Sequence, residues 1–124
     1  MENIKWSEIH VNSRELVRLF NEAGFKTECS CEGHSRHEPA YIIFDESVTQ
    51  EQVEELILTS CMPCRYYGFF YYWVRRGTDG VMNPKIWKNW MFKIETPFVN
   101  SEDRIRQIKI AEVMVRGYIS EKYF

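Results

Sequence analysis

The sequence predicts an α+β protein: a two-layer sandwich, its mainly antiparallel sheet of about four strands covered by helices, in the order αββαββα. Three observations predict it. Three stretches carry apolar residues at helical spacing behind a polar start. Four stretches are short and rich in β-branched and aromatic residues. The two kinds alternate as helix, strand, strand, helix, strand, strand, helix, which groups the helices on one side of a single sheet. The 124 residues are read as one domain, 1–124, long enough for one core and too short for two.

Trp6, Ile9 and Val11 read as a short lead-in strand or as cover for the core. Asn12-Ser13-Arg14-Glu15 reads as a capping box, with Asn12 at the cap and Glu15 reaching back. Leu16, Val17, Leu19, Phe20 and Ala23 form the apolar face of a helix over about 12–23. Gly24 supplies a left-handed stop, and Phe25 packs back on the helix end. A strand from Phe25 to Ser30 runs into a loop that Pro39 closes. Ala40 to Phe44 is apolar throughout, the pattern of a central strand buried on both faces. Thr49-Gln50-Glu51-Gln52 is a second capping box, followed by a helix lined by Val53, Leu56, Ile57 and Ser60. Pro63 stops that helix at the Cys61–Cys64 turn.

Tyr66 to Arg75 is the strongest strand, with Phe69, Tyr71 and Trp73 on one face and Phe70, Tyr72 and Val74 on the other. Gly77-Thr78-Asp79-Gly80 has turn chemistry. Trp87 to Thr96 is the return strand of a hairpin with a long tip over residues 76–86. Its alternation implies one wet face. Pro97 breaks it, and Ser101-Glu102-Asp103 opens a last helix with a stripe of Ile105, Ile108, Ala111, Met114 or Val115, and Tyr118.

Aromatic residues make up 15% of the chain, which favours a packed globule over disorder. No apolar run reaches bilayer-spanning length and no export signal precedes residue 11, so the expected compartment is the cytoplasm, with no membrane partner. In that compartment the four cysteines are expected to be thiols or metal ligands rather than disulfides. The net charge of −2 is unevenly spread. Residues 1–61 carry 5 basic and 12 acidic side chains, and residues 62–98 carry 6 basic and 2 acidic. The acidic half argues against general duplex nucleic-acid binding, while the basic middle keeps a local anion site open.

The chemistry is concentrated in two segments, 28–37 and 61–64, which hold all four cysteines and His34 and His37. Two-residue gaps separate Cys31 from His34 and Cys61 from Cys64, and pairs of such knuckles build tetrahedral zinc sites. The expected ligand set is Cys31, His34, Cys61 and Cys64, with Cys29 or His37 as the alternatives to His34. The competing reading makes the cysteines small buried hydrophobes. A redox pair at Cys61–Cys64 is disfavoured, because it follows a helix instead of opening one. A cysteine nucleophile activated by His10 or His37 is a further reading of the same residues. Ser30, Gly33 and Arg36 in the loop, with Arg75, Arg76, Trp87 and Lys88 in the hairpin, are the candidate ligand-binding residues for an anion or a stacked base.

Ser30-Cys31-Glu32-Gly33-His34, after Gly24-Phe25-Lys26-Thr27 and before Pro39 to Phe44, resembles a set of small phage and Firmicutes proteins that share a Ser-Cys-x-Gly-His loop. The resemblance covers about a quarter of the chain. It implies a phage accessory or counter-defence protein that binds a host protein or sequesters a nucleotide signal. The same loop is similar to the Ser-Cys-Ser-Gly-Arg loop of the wybutosine-synthesis methyltransferases, in which a Glu-Pro strand and a helix also follow. This chain is shorter and has His34 where that family has arginine. The expected function is therefore a zinc-stabilised binding module, without catalysis. The alternative is an enzyme acting on a nucleotide or RNA through Cys31, Gly33 and His34. An exposed aromatic sheet face would invite a homodimer.

Overall fold

The computed structural model describes residues 11–31, 40–60, 68–78, 84–94 and 101–123. A 3₁₀ turn, Val11–Ser13, leads into α1 (Arg14–Glu22). Then follow β1 (Thr27–Cys31), β2 (Ala40–Phe44), α2 (Gln50–Ser60), β3 (Gly68–Thr78), β4 (Pro84–Ile94) and α3 (Ser101–Tyr123). This is the expected α+β order, and the four strands form one antiparallel sheet in the order β1-β2-β4-β3.

The helices share one face of the sheet. Leu16, Leu19 and Phe20 of α1, Val53 and Leu56 of α2, and Ile108, Val115 and Tyr118 of α3 form one buried cluster with Ala40, Ile42, Phe44, Phe92 and Ile94. Phe20 is its hub, with ring centroids 5.0 Å from Phe44, 5.5 Å from Phe92 and 5.9 Å from Phe25. Ile43 is buried but lies outside this cluster, because alternation turns it to the opposite sheet face. β2 is central and buried, as its apolar run implies.

The end of α1 follows from its sequence. Gly24 has φ +91°, the Phe25 N–H donates to the Phe20 carbonyl at 2.8 Å, and the Gly24 N–H donates to the Asn21 carbonyl at 3.1 Å. This is a Schellman stop, and the Phe20–Phe25 ring pair is its apolar contact. Asn21 then ties helix to strand through Thr27, donating to its hydroxyl at 2.9 Å.

The start of α1 differs from the capping box read at Asn12. The 3₁₀ turn takes up Asn12, helical geometry begins at Arg14, and Ser13 makes no side-chain cap bond. Glu15 does not reach back, because its carboxylate pairs with the guanidinium groups of Arg18 and Arg116. A charge-assisted pair outcompetes a bond to a neutral backbone N–H. The second capping box forms as read. The Thr49 N–H donates to Gln52 Oε1 at 2.9 Å, and the Gln52 N–H donates to Thr49 Oγ1 at 3.2 Å.

The hairpin tip over 76–86 is also corrected. β3 continues to Thr78 and β4 begins at Pro84, in one unbroken register from Gly68–Ile94 to Thr78–Pro84. Pro84 opens its strand, where a missing N–H removes no essential ladder bond, and Gly77 is carried by the pairing around it. Register with β2 runs only from Met91 to Ile94. Tyr72 onward in β3 and residues up to Trp90 in β4 therefore form a two-stranded arm, with no third strand among the described residues. Seven residues per strand extend it by roughly 24 Å.

Candidate functional site

β1 delivers the first Cys/His segment. Its register with β2 pairs Cys29 with Ile43, Ser30 with Ile42 and Cys31 with Tyr41, after a bulge at Glu28. Alternation places Cys29 and Cys31 on the sheet face opposite the helices and Ser30 on the helix face. Cys29 is exposed, while Cys31 and Ser30 are half-buried. The bulge is anchored by Asn89, which is 3% exposed and donates from Nδ2 to the Phe44 carbonyl at 2.8 Å and to Glu28 Oε2 at 3.2 Å.

His34, His37, Gly33, Arg36, Cys61 and Cys64 lie outside the described residues. The ends of the elements that carry them do not. One cross-strand row runs Cys31, Tyr41, Lys93, Phe69. β1 therefore leaves the sheet at the same end at which β3 enters it, immediately after residues 61–67. Three strand spacings, about 14 Å, separate the two edges. Among the described residues there is no group of three or more His, Cys, Asp or Glu side chains close enough to hold a metal.

The hairpin candidates lie at the other end of the sheet. Register pairs Arg75 with Trp87, Arg76 with Ile86 and Val74 with Lys88. The candidate ligand residues thus divide between the β1 loop, represented here by Ser30, and the β3–β4 arm. Beside the arm is an open groove of about 630 Å³, lined by Glu46, Val48, Thr49, Gln50, Tyr72, Lys88 and Trp90. Tyr72 and Trp90 form a tilted ring pair at 5.2 Å. Of the lining residues, Lys88 is among the candidates read from the sequence, and the wall from Glu46 to Gln50 is not. The signal for that wall is the run of acids from Asp45 to Glu55 facing a basic hairpin.

Two carboxylates near these elements are held below their ordinary range. The Arg18 guanidinium, by hydrogen bonding, is the main cause at Glu15, with Arg116 adding to it against the effect of burial. Asp45 is lowered chiefly by its bonds to Ser47, one of them from the Ser47 N–H at 3.0 Å, with Lys26 contributing.

The fold and these elements define a small α+β sheet protein with cysteines at one end of its sheet and a basic arm at the other. A family model described as YoqC prophage protein matches residues 2–123, and the chain belongs to this prophage protein family. No curated protein and no solved structure matches the chain, and no comparison supports the likeness to the wybutosine-synthesis methyltransferases. Among the described residues, no helix is long and apolar enough to cross a membrane.

Proposed function

We propose that this prophage protein is a non-enzymatic binding module that grips a host protein, its working shape held by one zinc ion. Cys31, His34, Cys61 and Cys64 are the proposed ligands, with Cys29 or His37 as the alternatives to His34. The observation that supports this most is the shared sheet end of the two Cys/His segments: β1 stops at Cys31 where β3 starts, on one cross-strand row. Three residues separate Cys64 from the start of β3, and the four Cα steps give a reach of up to about 13 Å for extended chain. That is enough to cross most of the sheet's width toward Cys31. Cys29, two residues before Cys31 on the same face, is placed to substitute as a ligand.

Zinc supplies no chemistry to a reaction in this reading. It joins the exits of β1 and α2 and so stabilises an end of the sheet. Native mass spectrometry of untagged protein, before and after acid, tests it. One zinc per chain, lost together with the fold, is expected. Four intact thiols and no metal would sink the zinc reading and return Cys31, Gly33 and His34 to the list of ligand-binding or catalytic groups.

The host-protein part has its own test. Chain expressed in its own host is expected to retain one host protein in stoichiometric amount. If none is retained and members of a nucleotide panel quench tryptophan fluorescence, sequestration of a nucleotide signal replaces the host protein.

A further inference from the structure

The β3–β4 arm carries a surface that its own chain does not match. Tyr72 is 52% exposed, and Val74 and Ile86 are 56% exposed. Tyr72 and Val74 continue the face that Phe70 and Phe92 turn to the helices, and Ile86 lies on it two residues before Lys88. The arm thus prolongs the core face of the sheet beyond the helical layer. A two-stranded ribbon is marginal alone in water, and apolar side chains on unpaired strands are a template for association.

Charge indicates what fits it. Residues 75–88 carry four basic side chains and one acidic, whereas residues 45–60 carry five acidic and none basic. Each stretch contributes one charge to the same groove, Glu46 beside Val48, Thr49 and Gln50 from the acidic stretch and Lys88 from the basic one, with Tyr72 and Trp90 of the arm completing the lining. We infer that the groove is a homodimer interface: the basic arm of one copy lies in the groove of a second copy, against its acidic wall, and the exchange is reciprocal. A surface with both halves side by side is self-complementary about a two-fold axis, as an isologous dimer requires. A nucleic acid would match the arm alone, and the acidic wall beside it would repel the phosphates.

Sedimentation velocity on the full chain over a concentration series, in low and high salt, tests this. A monomer–dimer equilibrium that weakens with salt is expected. Lys88→Glu and Glu46→Lys should each weaken dimerisation by about tenfold or more. Mixing the two variants should restore it, since the reversed arm then meets the reversed wall and the unaltered arm meets the unaltered wall. Ile86→Lys should weaken it with no such rescue, and circular dichroism melts check that all three variants fold. A wild-type chain that is monomeric throughout, or a mixture no tighter than either variant alone, overturns the proposal. A labelled oligonucleotide titrated in parallel identifies the competing occupant: binding by a monomer, lost in Lys88→Glu, assigns the arm to nucleic acid instead.

Discussion

Asn89 shows how one side chain sets where the sheet narrows. β2 ends at Phe44, one residue past its register with β4, and the Phe44 carbonyl accepts from Asn89 Nδ2. The same amide holds Glu28 at the bulge of β1. Asn89→Ala leaves that buried carbonyl unsatisfied and is expected to cost about 1–3 kcal/mol in urea denaturation. Gly24→Ala carries a different penalty. A Cβ at Gly24 meets nothing closer than Gln52 Nε2 at 3.8 Å, so the cost is the left-handed backbone itself, about 1–2 kcal/mol. Glu15 and Asp45 link stability to pH. Their carboxyls are lowered in the folded chain, so their contribution is complete above the ordinary carboxylate range and is lost as pH falls through the folded values. The urea midpoint is expected to fall between about pH 5 and pH 3. Glu15→Gln should flatten part of that slope, and a midpoint equally steep in the variant would remove Glu15 as a cause.

At the scale of elements, local sequence decided most of what formed. The Thr49–Gln52 box starts α2 and bonds back to the chain, with Gln52 Nε2 donating to the Gly24 carbonyl at 3.1 Å. Thr49→Ala is expected to cost about 1 kcal/mol, read as a lowered thermal midpoint. α1 and α3 are joined by an ion pair that no local pattern announces, Arg116 to Glu15 at 3.2 Å, while within α3 Glu112 is paired by Arg116 at 3.8 Å and Lys109 at 3.3 Å. Together with the local Arg18 pair, the Arg116 pair occupies the Glu15 carboxylate, and the Asn12 capping box read from sequence does not form. The hairpin tip was misread for a related reason. Gly77 and Thr78 have turn residues' chemistry, but a register already established from Gly68 to Arg75 is extended more cheaply than it is broken.

At the scale of the molecule, one aromatic cluster under one sheet carries the fold. Phe20 touches Phe25, Phe44, Phe70 and Phe92, so Phe20→Ala opens a cavity common to a helix and three strands and is expected to cost about 3–5 kcal/mol in urea denaturation. The arm belongs to the other end of the stability range, because no third strand pairs with it among the described residues and its support, from Asn89 and Trp90, is confined to its base. Amides of 72–78 and 84–90 are expected to exchange faster than those of β2 in dilute solution, and to slow as concentration rises. Exchange independent of concentration would separate the arm from self-association.

The sequence alone determined the fold class, the order of elements, the central place of β2, the stop at Gly24 and the box at Thr49. Each is a short-range matter of periodicity, capping or backbone preference, and needs no knowledge of distant partners. It also pointed to a phage origin, which the family match supports. Tertiary structure alone decided the strand order, which sets the cysteine-bearing end of the sheet opposite the basic arm. It also decided the length of that arm, the Asn89 tie and the groove that pairs acidic and basic walls. These depend on which strands are neighbours and where one stops short of another, and hydrogen-bond register across residues far apart in the chain is written in no local pattern.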